Sequence, residues 1–194
     1  VKQVYKGGKL VAENGKMLHQ KEKNTDWSTE IKERVFHSFH RVPITVEELQ
    51  LKETTGTHQR VIDMVAHELI TKERIEEWKE LPGVAPGVDI SRDIVKLAAI
   101  ERHKNTGHVG LGFLGKYGLK KGAVATSIGH DSHNLVIAGV TDEDMVLAGN
   151  RVIENGGGLA IALEGKVLAD LPLPIGGLMA DEPVEVVDEK LEHM

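Results

Sequence analysis

The sequence predicts an α+β fold that consists mainly of antiparallel β-sheet with a few packed helices. Glycine is unevenly spread, since 6 of the 21 glycines fall in residues 1–100 and 15 fall in residues 101–194. In this second part, short apolar runs rich in β-branched residues alternate with polar or glycine-rich links, a pattern typical of successive paired strands. A length of 194 residues allows one or two domains and is sufficient for a sizeable core.

The first twelve residues predict a β-hairpin. Two β-prone runs flank Gly7-Gly8, which is a typical two-residue hairpin turn. An isolated hairpin is only marginally stable, so we expect other strands of its sheet to precede Val1. Residues 20–26 contain no apolar side chain and predict a linker.

The stretch that follows is weakly patterned. Residues 60–66 predict a strand because Val61, Ile62 and Val65 are β-branched. Residues 71–78 begin with a threonine that could cap a helix and continue with charged residues, which predicts one or two helical turns. Two Pro-Gly-containing turns predict a loop over 81–88.

The second half gives clearer signals. We expect successive strands over 93–102, 107–115, 123–128 and 135–140. Thr141 is a suitable N-cap for a helix whose first turn is acidic, and Asn155-Gly156-Gly157 would end that helix. A hairpin around Glu164-Gly165 and a short acidic helix or tail from Asp181 complete the predicted α+β fold.

Composition excludes several classes of protein. The absence of cysteine excludes disulfide scaffolds and thiolate zinc sites. No apolar run approaches the roughly 20 residues that cross a bilayer, and the first residues lack a signal-peptide pattern, so we expect a cytoplasmic protein. Residues 141–194 hold 12 acidic and 3 basic side chains, and no basic stripe with aromatic residues is present, which argues against nucleic acid as a ligand.

Three apparent functional motifs lack the neighbouring residues that their functions require. Residues 110–115 match the dinucleotide fingerprint G-x-G-x-x-G, but no amphipathic helix follows, so close packing explains these glycines better. His67-Glu68 begins a zincin motif but has Thr71 where the second histidine must stand. His37 and His40 lack a neighbouring carboxylate cluster, which favours surface or packing roles.

The densest polar chemistry lies in residues 127–134, between two strongly apolar strands. Two imidazoles, one carboxylate, two hydroxyls and one amide fall within eight residues. Loops on a rigid scaffold are where binding and catalytic groups concentrate. His130, Asp131 and His133 could ligate a divalent metal, or Asp131 could orient a histidine for proton transfer. The alternative is a tight connection in which Asp131 and Asn134 bond to their own backbone.

An ordered series of short motifs continues through this half of the chain. Its members are Glu101-Arg102-His103, Gly110-Leu111-Gly112-Phe113, 118–123, 130–134, 141–145, Gly156-Gly157-Gly158 and 171–179. Together they resemble the C-terminal domain of bacterial adenine deaminases, enzymes of the amidohydrolase type. The resemblance is strong from about Arg60 to Leu191. It implies three parts: residues 1–19 as the end of the small β-sandwich beside the catalytic barrel, 20–59 as an irregular lead-in, and 60–194 as the C-terminal domain.

The resemblance also implies an activity. In that family, adenine is hydrolysed to hypoxanthine and ammonia in purine metabolism, and Mn²⁺ or Fe²⁺ activates the water. Most metal ligands of the superfamily lie on the barrel, starting with an H-x-H motif that this sequence lacks. A barrel needs roughly 250 residues. We therefore expect a C-terminal fragment that binds no metal by itself, partners the N-terminal barrel of the same protein and belongs to a homo-oligomer.

Three interpretations of the loop remain. His130, Asp131, His133 and Asn134 could be catalytic residues at the mouth of the barrel site. The domain could instead be purely structural, covering the barrel or building an oligomer. Independent hydrolysis with metal on His130, Asp131 and His133 is the third interpretation, although one tight loop rarely supplies three ligands with good geometry.

Overall fold

The computed structural model describes residues 1–18, 27–51 and 56–194. Contacts divide the chain into two compact units, Val1–Lys32 and Glu33–Met194. The predicted linker over 20–26 and part of the predicted lead-in, 52–55, lie outside the described residues. The boundaries predicted at 19 and 59 therefore stay predictions.

The first unit contains a three-stranded antiparallel sheet in the order β1-β2-β3, with β1 at Gln3–Lys6, β2 at Lys9–Glu13 and β3 at Lys16–Met17. The predicted hairpin is confirmed, and both glycines of its turn have a positive φ. The third strand was not predicted, although Asn14-Gly15 is a hairpin turn signal of the same kind.

The second unit is built on an eight-stranded sheet in the order β11-β10-β8-β9-β6-β7-β4-β5. All neighbouring strands are antiparallel except β4 and β7, which run parallel. This mainly antiparallel arrangement with segregated helices confirms the predicted α+β class. The strand bounds are β4 His58–Met64, β5 Thr71–Glu77, β6 Ile94–Ile100, β7 Val109–Gly115, β8 Ala123–Thr126, β9 Leu135–Gly139, β10 Gly158–Leu163 and β11 Lys166–Pro172.

Four α-helices are present in the described residues: α1 Thr29–Phe36, α2 Val46–Leu49, α3 Asp142–Glu154 and α4 Val184–Glu192. Helix α3 begins after Thr141, whose hydroxyl accepts a hydrogen bond from the Asp144 amide, as the capping pattern predicts. Its Met145, Ala148 and Val152 are fully buried in the main core. Burial of a side chain such as Met145 contributes about 1.5–3 kcal/mol. None of the helices in the described part of the chain is long and apolar enough to cross a membrane.

The prediction of helical turns over 71–78 is wrong, because this segment forms strand β5 at the edge of the sheet. Along this strand, Arg74 and Glu76 are half-buried, whereas the other residues of the strand are exposed. Arg74 pairs with Asp63 of β4 at 2.9 Å, and Glu76 pairs with Arg92 at 2.8 Å. These ion pairs and the ladder to β4 outweigh the local helical preference of a charged segment.

Strand register brings three connections to one end of the sheet. Ile100 at the end of β6 pairs with Leu135 and with Val109, so the links 101–108 and 127–134 leave the sheet together. Gly158 at the start of β10 pairs with Pro172, and Leu159 pairs with Thr126, which places the segment after β11 at the same end.

Candidate functional site

The polar loop between β8 and β9, residues 127–134, is called the histidine loop below. His130 Nε2 and the Asp131 carboxylate lie 3.2 Å apart, and both side chains are about nine-tenths exposed to solvent. Asp131 and His133 adopt left-handed backbone conformations, with φ of 66° and 49°. Such conformations are uncommon for residues other than glycine, and they cluster at functional sites. The loop therefore presents one imidazole–carboxylate pair outward on an unusually shaped backbone.

Three hydrogen bonds lie within the histidine loop itself. The His133 amide donates to the Gly129 carbonyl at 2.7 Å, and the Ser132 amide donates to the His130 carbonyl at 3.1 Å. The Asn134 amide meets the Ser132 hydroxyl at 3.4 Å. Four candidate residues thus share one loop, in which His130 and Asp131 are exposed side by side and His133 is half-buried.

Arg102, two residues after the end of β6, anchors this loop. Its side chain is among the largest that are fully buried. Nε donates to the His133 carbonyl at 2.6 Å, and the two terminal nitrogens donate to the carbonyls of Ser38 at 3.4 Å and Gly176 at 3.1 Å. The guanidinium carbon also lies 4.8 Å from the centre of the Phe39 ring, a cation–π distance. One side chain therefore joins three segments that are distant in sequence.

The segment after β11 closes the other side of Arg102. We call Ile175–Met179 the glycine loop, and backbone hydrogen bonds between its two end residues close it. Gly177 has a φ of +75°, and a Cβ there would lie 2.7–2.9 Å from the Arg102 guanidinium. Ser127 is fully buried, and its hydroxyl bonds to the Gly177 carbonyl at 2.5 Å and to the Gly158 amide at 2.7 Å. Ser127 and Arg102 together fix the histidine loop to the glycine loop.

An imidazole from outside the histidine loop also contacts it, from the link after β6. His103 Nε2 lies 2.8 Å from the Ser132 carbonyl. The Glu101 carboxylate accepts hydrogen bonds from the backbone amides of Thr106, Lys104 and His103. These bonds, led by that of Thr106, hold the pKa of Glu101 at about 2, so it is ionised at neutral pH.

Two buried polar atoms find no hydrogen-bond partner in the described part of the chain, the Ser38 hydroxyl and Nδ1 of His133. Buried polar groups are nearly always paired, and unpaired ones concentrate at functional sites or at sites of bound water. Both belong to residues whose carbonyls bind Arg102. His37, in contrast, is exposed and pairs with Glu33 at 2.8 Å, which agrees with the surface role predicted for it.

The residues present do not fit a divalent metal. Within residues 1–18, 27–51 and 56–194, no three histidine or carboxylate side chains lie close enough to hold one ion. His130 and Asp131 form a pair that no third histidine or carboxylate of the described residues joins. The metal implied by the resemblance therefore has no assembled ligand set in the described chain.

The rejected sequence motifs have other roles in the fold. Residues 110–115 lie within β7 and do not form a turn into a helix. Gly115 makes room for the Asp63–Arg74 ion pair, which a Cβ at this position would overlap. His67 is exposed in the link between β4 and β5.

Comparison with known proteins now identifies the family. The family model for the adenine deaminase C-terminal domain matches residues 68–194, more than half of the chain. The chain belongs to this family. The resemblance found in the ordered motifs is thereby confirmed.

Relatives of this adenine deaminase C-terminal domain are similar over 78–100% of the chain. The adenine deaminase of Lysinibacillus sphaericus is 41% identical over 191 residues, covering 98% of this chain and 32% of the relative. Adenine deaminase 2 of Carboxydothermus hydrogenoformans is 41% identical over 194 residues, which cover 100% of this chain and 32% of the relative. The adenine deaminase of Oleidesulfovibrio alaskensis is 48% identical over 151 residues, covering 78% and 26%. The chain thus spans about a third of the length of these curated relatives.

Sequence reasoning missed the role of Arg102 in this adenine deaminase C-terminal domain. Arg102 belongs to a motif that carried the resemblance, but its partners lie 31, 64 and 74 residues away. The available signal was an arginine at the end of the apolar strand predicted over 93–102. That signal does not indicate burial, which depends on the glycine loop and on Phe39.

Proposed function

We propose that this domain contributes to the hydrolytic deamination of adenine, acting with a metal-bearing barrel that the chain does not contain. The observation that carries the proposal is similarity to proteins named adenine deaminase over 98–100% of the chain. The reaction adds water at the purine carbon that bears the amino group and releases ammonia, giving hypoxanthine. Mn²⁺ or Fe²⁺ on the barrel would supply water activation.

The histidine loop is the part of this chain proposed to serve that reaction. An exposed imidazole beside a carboxylate can accept and donate protons near neutral pH, which the departing amino group requires. His130 and Asp131 have this arrangement at 3.2 Å, and both are open to a partner surface. His133 and Asn134 would complete the candidate catalytic group at the mouth of the barrel site.

The proposal extends to the setting of the longer enzyme. We place it in the cytoplasm, in purine metabolism, as a homo-oligomer with adenine as substrate and without nucleic acid or membrane as partners. The acidic side chains that dominate residues 141–194 support the exclusion of nucleic acid.

A purely structural or oligomerisation role is the second candidate. It is favoured by the bonding of the histidine loop, whose amides at Ser132 and His133 bond within the loop. In that case the left-handed residues would be a conformational device that closes the connection between β8 and β9.

A graft distinguishes the two roles. In the grafted enzyme, this chain replaces the aligned region of the Lysinibacillus sphaericus adenine deaminase. His133→Asn is suitable because asparagine tolerates a left-handed backbone. The matched control is His67→Asn, since His67 has a φ of 62° and lies in another loop.

If the histidine loop is catalytic, His133→Asn and His130→Asn lower kcat of the grafted enzyme by about 100-fold, within the range of general acid–base contributions. The control keeps kcat, and all variants keep their melting temperature within a few degrees. Normal kcat in both loop variants would leave the structural role as the better account.

The isolated chain provides a further test. We expect no ammonia from adenine after loading with Mn²⁺, and no stoichiometric metal in the same sample. Turnover together with one bound metal per chain would mean that the histidine loop is itself a metallohydrolase site.

A further inference from the structure

Arg102 combines full burial with a positive charge that no acidic side chain of the described residues neutralises. Burial lowers its pKa, and within the described chain no acidic group contributes to that shift. An arginine nevertheless stays protonated in proteins, so the charge remains inside. Removing a cation from water without a counter-ion is costly, and buried charges are usually paired.

The contacts of Arg102 explain why a guanidinium is present at this position. Its acceptors are backbone carbonyls of three separate segments, at Ser38, His133 and Gly176. Only guanidinium has five donors in a rigid planar fork that can reach acceptors in several directions. A methionine of similar length would fill the same space but would leave the carbonyls of three half-buried residues without these bonds. The hydrogen-bonding geometry of the guanidinium, and not the volume of the side chain, therefore explains why arginine stands at this position.

The shortest of the three bonds, at 2.6 Å, goes to the carbonyl of His133. This residue and Asp131 have the left-handed backbone that shapes the exposed part of the histidine loop. Such conformations persist only where surrounding contacts impose them. The bond from Arg102 joins this strained backbone to a buried group, whereas the polar contacts that His130 and Asp131 make with described residues stay within the loop.

We infer that Arg102 is a positioning residue that holds the histidine loop in the conformation needed for its action on the substrate. The inference rests on the proposed function and adds a residue that touches no substrate. Misplacement of a catalytic group by about 1 Å can lower turnover by about 100-fold, so a positioning residue should affect kcat more than KM.

The test uses Arg102→Met and Arg102→Lys in the grafted enzyme and in the 194-residue chain. Lysine keeps the charge but loses the fork, so it reaches fewer carbonyls and is the variant more certain to fold. Arg41→Met is the matched control, because Arg41 is also buried but bonds to Glu48 and Asn105 instead. The readouts are kcat and KM of the grafted enzyme, and melting temperature and amide chemical shifts of 130–134 in the chain.

Positioning by Arg102 predicts a loss in kcat of about 100-fold for Arg102→Met and about 10-fold for Arg102→Lys, with KM changed less than about threefold. The amide signals of 130–134 should move in both variants. Arg41→Met should lower the melting temperature and leave kcat and these signals unchanged. Guanidinium chloride at millimolar concentration should partly restore kcat in Arg102→Ala.

Three results would overturn the inference. A folded Arg102→Lys with unchanged signals at 130–134 removes the positioning role. Normal kcat in Arg102→Lys, together with a large loss of kcat in His133→Asn, would exclude a positioning role for Arg102 and leave the proposed function intact. Normal kcat in His130→Asn and His133→Asn removes the proposed function, and the inference falls with it. If Arg102→Met does not fold, Arg102→Lys decides.

Discussion

Gly177 illustrates how one residue decides whether the site can assemble. It combines a left-handed backbone with close contact to the guanidinium of Arg102. Gly177 belongs to the motif over 171–179 that carried the resemblance, but the sequence does not indicate which side chain lies against it. The second reason for glycine at this position, the close contact with Arg102, is visible only in the folded structure.

The first prediction is that Gly177→Ala lowers the free energy of unfolding by about 2 kcal/mol, because a methyl group adds steric overlap to backbone strain. Gly83→Ala is the control, since Gly83 has a φ of +76° and a Cβ added there would meet no atom within 4 Å. Urea denaturation of both variants separates strain from overlap. Equal losses in the two variants would contradict the predicted clash with Arg102.

Asp89 is the second case at the residue scale. It is 3% exposed, and hydrogen bonds from Ser91 and an ion pair with Arg92 at 2.7 Å lower its pKa to about 2. The usual value in an unfolded chain is about 3.9. Because the folded-state pKa is the lower one, this stabilisation is complete above about pH 4 and is lost as the pH falls through about 2.

We therefore expect acid to weaken the wild-type chain more than Asp89→Asn between pH 5 and pH 2. The difference in the change of unfolding free energy should be about 2 kcal/mol. Urea titrations of both proteins at the two pH values measure it directly. Parallel pH dependence would mean that Asp89 has a nearly normal pKa.

At the scale of elements, helix α3 and the β10–β11 hairpin are joined by one carboxylate. Asp144 in the first turn of α3 is 5% exposed, and its oxygens accept hydrogen bonds from the amides of Glu164 at 3.1 Å and Gly165 at 3.0 Å. The sequence predicted the helix and the hairpin separately, since cap and turn chemistry are local. It did not indicate that an acidic residue of the cap also binds the turn.

The third prediction is that Asp144→Ala lowers the free energy of unfolding by about 2–3 kcal/mol, the scale of buried hydrogen bonds to a charged group. Glu143→Ala is a matched control, because Glu143 lies in the same first turn but is exposed. It should cost only the dipole contribution, about 0.3–1 kcal/mol. Thermal and urea unfolding compare the two, and similar losses would refute the role of Asp144 in the turn.

Strand β5 shows the limit of element prediction. A capping-type threonine followed by charged residues is compatible with a helix and with a charged edge strand. Whether this segment forms a helix or a strand depends on its ion-pair partners in β4 and after the loop over 81–88. These partners lie outside any short stretch of sequence around the segment. By contrast, β6 to β11 and α3 were predicted because apolar runs, caps and turns all agree there.

At the scale of the whole molecule, a buried ion pair joins the sheet to its covering helix. Lys96 in β6 is 1% exposed, and its ammonium lies 2.7 Å from the carboxylate of Asp142 in α3. Removing one partner leaves the other charge buried alone, which usually costs about 3–5 kcal/mol. Replacing both partners by apolar residues is often neutral.

The fourth prediction follows as a double-mutant cycle. Lys96→Met should lower the free energy of unfolding by about 3–5 kcal/mol, and adding Asp142→Leu should recover most of this loss. Urea denaturation of the two single variants and the double variant gives the coupling. Additive losses would show that the two charges act independently.

The sequence by itself determined the α+β class, most strands, the capped helix and the family, because each rests on local chemistry or on an ordered series of motifs. It also located the histidine loop as the densest polar cluster. Tertiary structure alone decided the strand identity of β5, the burial of Arg102 and its bonds to Ser38, His133 and Gly176. The physical reason is separation along the chain. Caps and turns act within a few residues, whereas these carbonyls lie 31 to 74 residues from Arg102 and meet it only after the strands pair in register.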